Sequence, residues 1–161
     1  MQKLRLNPEY ARRHLFVTLL MLGLCGWFGY DGYVRYPSTP AAELYAQIEG
    51  RAPDEQLSAV DLEAFKRQKI QTQHGFTALT FLAALVVGLR LLASVRFEFS
   101  FDDEGFTYRG KRRLYSEVKH IDRSQWKRKG IVKVDGIVLD SWHHLGVKDF
   151  LSHLETDLDN P

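Results

Sequence analysis

Two cationic triplets, Lys111-Arg112-Arg113 and Lys127-Arg128-Lys129, are the side chains with most chemistry to offer. Arg109, Lys119, Arg123 and Lys133 join them within residues 109–133, where Glu117 and Asp122 are the only acids. Clustered cations take phosphate, and beside an anionic leaflet each gains about 1 kcal/mol. The same cluster also arises from the general excess of Lys and Arg on the cytoplasmic side of membrane proteins, and both readings stay open. Nucleic acid is not expected as a partner, because the aromatic residues here alternate as core positions and make no stacking platform.

His143 and His144 are adjacent, so in a strand they point to opposite faces and do not share a metal. His120 and His153 have no ligand-like spacing, and there is no His-Glu-x-x-His, P-loop, Rossmann glycine pattern or Gly-x-Ser-x-Gly. No metal, cofactor or catalytic residue is expected. The single cysteine, Cys25, excludes an intramolecular disulfide and any multi-thiolate site. Trp126 and Trp142 are expected to close a small core; the alternative is a recognition patch with Asp140, His143 and His144.

These groups need elements to position them. The 161 residues carry 22 cations and 20 acids, a net charge of +2 that excludes a grossly basic or an acidic disordered chain. The apolar residues gather in two blocks. Residues 15–34 hold no charge before Asp31, and residues 74–95 hold only Arg90, near one end. About 20 helical residues cross a hydrocarbon core of about 30 Å, so both blocks are expected to be transmembrane helices. Trp27, Tyr30, Tyr33 and Tyr36 fall where an interfacial aromatic belt sits. A cleaved signal peptide is not expected, since bulky Trp27, Phe28 and Tyr30 follow the apolar run and no Ala-x-Ala-like site does.

Lys3, Arg5, Arg12 and Arg13 lie in a basic tail, residues 1–14, and Arg96, Arg109, Lys111, Arg112 and Arg113 follow the second block. Both termini are therefore expected in the cytoplasm, in an inner (plasma) membrane, with the loop of residues 35–73 outside. Gly23, Gly26 and Gly29 on the first helix and Thr80, Ala84 and Gly88 on the second make small-residue stripes. These predict close packing of the helices on each other as a hairpin, or on a partner's helix. In the loop, Thr39-Pro40 predicts a helix start and Gly50 a helix stop. Ser58 and Asp61 predict a capping box, from which a helix can run on into the second block.

Residues 96–161 change character. Phe97, Phe99 and Phe101 alternate with polar residues as in a half-buried strand, and Asp102-Asp103-Glu104-Gly105 is turn chemistry with glycine expected at positive φ. Asp135-Gly136 between Gly130–Val134 and Ile137–Asp140 predicts a tight hairpin. Val147, Phe150, Leu151, Leu154 and Leu158 form the apolar stripe of a terminal helix. The expected fold class is a membrane α-helical hairpin plus a small α+β domain, an antiparallel sheet or partial barrel with a C-terminal helix.

The order of FDDEGFTYRG, LYSEVKHID, a further hairpin and a terminal amphipathic helix, behind a helix pair, resembles the small bacterial PH-like domains of the YcxB-like kind. Tyr115, Val118 and Ile121 stand where that family carries an aromatic and spaced aliphatics. The resemblance covers residues 95–158 and implies a binding or scaffold module without catalytic residues. A full barrel of that type has seven strands, and this segment has room for five or six. The expected role is a non-catalytic accessory subunit or scaffold, with a membrane protein or a second copy as partner. A module binding membrane lipids through the two triplets is the alternative, and an enzyme sharing its site with a partner comes third.

Overall fold

The computed structural model describes residues 1–54 and 57–159, with side chains to Thr156 in the last helix. The chain forms two units: Leu15–Gly88, and a second made of Met1–His14 together with Leu89–Pro161.

The first unit is built from two long helices and the segment joining them. Helix α1 spans Pro8–Tyr30, and a π-helical turn continues it over Asp31–Arg35, closed by the Tyr36 N–H on the Asp31 carbonyl. Two short helices follow, α2 (Tyr36–Ser38) and α3 (Ala41–Glu49), and Gly50 ends α3 at φ 71°. Helix α4 runs unbroken over Ala59–Val95. Its first turn carries the expected box: the Asp61 N–H donates to Ser58 Oγ at 3.2 Å, and the Ser58 N–H to Asp61 Oδ2 at 3.1 Å. Both long helices are long and apolar enough to cross a membrane.

α1 and α4 pack antiparallel. Cys25 Sγ donates to the Thr77 carbonyl at 3.6 Å, Phe28 meets Phe76 at 5.2 Å, and His74 Nε2 contacts the Gly32 carbonyl at 3.2 Å. The covered positions recur at Thr18, Met21, Cys25 and Phe28 on α1 and Gly32 in the π-helical turn, and at Gln73, Thr77, Thr80, Ala84 and Val87 on α4. That alternation of four and three is a heptad seam. Thr80 and Ala84 are buried, and a side chain at Gly88 would touch Thr18 at 3.6 Å. On α1 only part of the expected glycine stripe faces α4. Gly29 lies against Thr77, whereas Gly23 and Gly26 point outward with nothing within 4 Å. A strict three-residue step falls about 60° short of a turn each time, so a glycine every third residue drifts off one face.

The joining segment is packed. Leu44 is fully buried, the Tyr45 ring meets Phe65 at 5.0 Å in a tilted contact, and Lys66 Nζ donates to the carbonyls of Pro37 and Thr39.

The second unit corrects the expectation of a free basic tail. Strands β1 (Gln2–Lys3) and β2 (Arg5–Leu6) belong to its sheets. Strands β3 (Phe99–Phe101), β4 (Gly105–Tyr108) and β5 (Lys111–Leu114) join β1 in a four-stranded antiparallel sheet of order β1-β3-β4-β5. β6 (Ile121–Asp122), β7 (Ile131–Val134) and β8 (Ile137–Asp140) form a three-stranded sheet, with the short helix α5 (Trp126–Lys129) between β6 and β7. β2 pairs with β9 (His144–Leu145), and α6 (Val147–Asp159) closes the unit. The two long helices are thus an insertion between the second strand and the third.

One core joins these parts. Leu4, Phe99, Phe101, Phe106, Tyr115, Val132, Val134, Leu139 and, from α6, Val147, Phe150, Leu151 and Leu154 are buried together. Each large apolar side chain so buried contributes about 1.5–3 kcal/mol. The side chain of Leu158, expected on the same helical face, lies outside the described residues. Asp135 (φ 46°) and Gly136 (φ 83°) make the expected two-residue hairpin turn, and Arg109 (φ 51°) with Gly110 (φ 76°) makes a second. Gly105 is required for another reason than a positive φ: a Cβ there would lie 2.2 Å from the Arg113 carbonyl oxygen.

Candidate functional site

The cationic triplets occupy two different elements. Lys111, Arg112 and Arg113 are exposed on β5, where successive side chains point to opposite faces. Arg112 grips Asp102 with both terminal nitrogens, at 2.9 and 3.1 Å, and touches Glu104 at 3.2 Å. This guanidinium, helped by the Glu104 and Gly105 N–H groups, holds the Asp102 carboxyl below its ordinary range. Arg113 lies 3.6 Å from Asp135, whose Oδ1 also accepts the Lys119 and His120 N–H groups. Two of these three cations are therefore engaged in the fold. Lys127, Arg128 and Lys129 are exposed on α5 and form no ion pair among the described residues. The structure splits the expected patch into a committed half and an open half.

A second cluster is assembled by residues far apart in sequence. Asn7 caps α1, its Oδ1 accepting the Glu9 N–H at 3.0 Å with Pro8 at the first helical position. Its backbone N–H and side-chain amide donate to the carbonyls of His143 and Trp142, at 2.8 and 3.0 Å. The start of α1 is thereby tied to the β8–β9 turn. Tyr10, 1% exposed, meets the rings of His14 (3.9 Å) and His143 (4.3 Å) in tilted contacts, and its hydroxyl accepts from Ser94 Oγ at 3.4 Å. His144 is buried beside Phe97 and bonds the Ser94 carbonyl. Burial pushes the His144 imidazole below its ordinary value, against the raising effect of the Ser94 carbonyl, and nearby His143 pushes it the same way as burial. A cavity of about 390 Å³ opens here, walled by Tyr10, His14, Arg90, Ser94, Asp140 and His143 among others.

The tryptophans part company. Trp126 is half-buried against the core, but Trp142 is 41% exposed, with the Arg13 guanidinium 5.4 Å over its ring. Asp140 Oδ1 accepts the Trp142 N–H at 2.8 Å, which fixes the turn and turns the indole outward. Sequence reasoning assigned no role to Tyr10 or His14, and to Arg90 only that its side chain snorkels to the headgroups. The one signal was Arg90, a lone cation in an otherwise apolar helix.

No family model matches the chain, nor does any curated protein or any solved structure.

Proposed function

We propose that this chain is a two-pass inner-membrane protein of bacterial type whose β unit is a PH-like domain at the cytoplasmic face, serving as a non-catalytic accessory subunit or scaffold. The observation that carries the reading is an apolar girdle. Phe16, Leu19, Trp27, Leu79, Leu82 and Leu89 are all more than half exposed on helices that pack on each other along one seam. Water would penalise such a surface, and hydrocarbon would not. Both ends of the helical insertion belong to one β unit, which supports placing both ends of the chain on one side of the bilayer. The four-stranded and three-stranded sheets followed by a helix give the strand count of a PH-like barrel, with the first sheet completed by the N-terminal strand. The proposed partner is a membrane protein or a second copy.

Tagged chain extracted in mild detergent should retain a stoichiometric membrane protein or a second copy, read by mass spectrometry. A clean monomer would sink the scaffold reading. For topology, Ala52→Cys in a Cys25→Ala background should label from outside intact cells; labelling only after permeabilisation reverses the orientation. A second reading, anionic-lipid binding by the β unit, draws on the exposed cations of α5.

A further inference from the structure

We propose that the cavity walled by Tyr10, His14, Arg90, Ser94, Asp140 and His143 holds the phosphate headgroup of one anionic phospholipid; this rests on reading α1 and α4 as membrane spans. Its volume, about 390 Å³, is that of a small-molecule site. Arg90 supplies the charge. It is exposed, and among the described residues it forms no ion pair. A guanidinium fork matches two phosphate oxygens, and its five donors are here without a carboxylate.

The acid in the wall does not compete for it. Asp140 Oδ1 takes the Trp142 N–H, and its Oδ2 faces His143 Nε2 at 3.7 Å. The Tyr10 hydroxyl and the His143 imidazole line the rest and offer hydrogen bonds to phosphate or glycerol oxygens, whereas Ser94 Oγ donates to the Arg90 carbonyl and His14 Nδ1 meets the Tyr10 carbonyl. The source is lipid rather than free phosphate because of what lies beyond Arg90. Leu89, 56% exposed, continues the α4 surface as an apolar track for an acyl chain. A cation one turn or so from the end of a span also lies at phosphate depth.

The test uses the full-length protein in mild detergent, offered phosphatidylglycerol or phosphatidylcholine of the same chain length and read by native mass spectrometry. One molecule of phosphatidylglycerol should be retained at least about tenfold over phosphatidylcholine, whose phosphate can meet the same guanidinium but brings a quaternary ammonium that is repelled beside Arg90. Arg90→Gln should abolish that preference and Arg90→Lys should keep part of it. Ala93→Phe, which fills the cavity with Arg90 intact, should abolish it too. Equal retention by Arg90→Gln overturns the proposal. So does loss on changing Lys127, Arg128 and Lys129 to Gln with Arg90 untouched, which would move the lipid to α5. Displacement by millimolar inorganic phosphate would assign the site to free phosphate and overturn the lipid source. Release of the wild type from membranes by alkaline carbonate would separately refute the spans themselves.

Discussion

His144 Nε2 lies 3.2 Å from the carbonyl oxygen of Ser94, fifty residues earlier in the chain. The last full turn of α4 is thus tied to β9 through a buried ring whose Nε2 carries the proton in the neutral form. Protonation would place a cation between Phe97 and His143.

That burial sets a pH dependence. The folded imidazole titrates below its ordinary value, about 6.5, so between that value and the lower folded one the unfolded chain binds more protons. Stability contributed by His144 is complete above about pH 6.5 and declines as pH falls toward the folded value. Thermal unfolding of the β unit in the full chain, scanned from pH 8 to pH 5, should show this decline, and His144→Phe should flatten it. The Asp102 carboxyl, held low by Arg112, loses its contribution only in a more acid window, below its ordinary value.

The N-terminal strands carry weight out of proportion to their length. Leu4, between β1 and β2, is 7% exposed in the core, and its N–H donates to the Phe99 carbonyl at 3.0 Å. Leu4→Ala should cost about 2–3 kcal/mol and open residues 97–101 to hydrogen exchange. An unchanged exchange pattern would mean that β1 and β2 are not integral to the sheet.

Two hairpin glycines should differ in kind. Gly110→Ala meets no atom within 4 Å but keeps φ at 76°, so it should cost about 1–2 kcal/mol of backbone strain. Gly105→Ala drives a Cβ into the Arg113 carbonyl and should prevent β4 and β5 from pairing in register. Denaturant titration ranks the two, and equal losses would refute the distinction.

On the helices, Ala84→Phe should disrupt the seam, whereas Gly23→Leu and Gly26→Leu, on the outer face, should leave it intact. An engineered Thr18→Cys/Gly88→Cys pair reports this: it should cross-link in the outer-face variants in a Cys25→Ala background and fail in Ala84→Phe.

Local signals were legible in the sequence, and non-local ones were not. Asp135-Gly136 between β-branched runs, the Ser58–Asp61 box and the terminal helix each rest on neighbours along the chain. Lys111–Leu114 hid as a strand because its Lys-Arg-Arg run has no apolar alternation; the Arg109-Gly110 turn ahead of it was the available clue. β1 and β2 are two residues each, too short for a period, and their partners lie about a hundred or more positions away. The cavity depends on that same pairing, since Tyr10 and His14 reach His143 only once Asn7 is fixed against the β8–β9 turn.

The pairing of Arg5 with Leu145 also imposes an order of events during synthesis. The first strands leave the ribosome with nothing to pair with, and at about 5–20 residues per second they wait on the order of ten seconds for β9 to be made. Throughout that wait the nascent N-terminus must stay in the compartment where the remainder of the domain will emerge. An N-terminal fusion large enough to hold residues 1–6 away would leave β3 as a bare sheet edge, and aggregation of the newborn chain would be the first symptom.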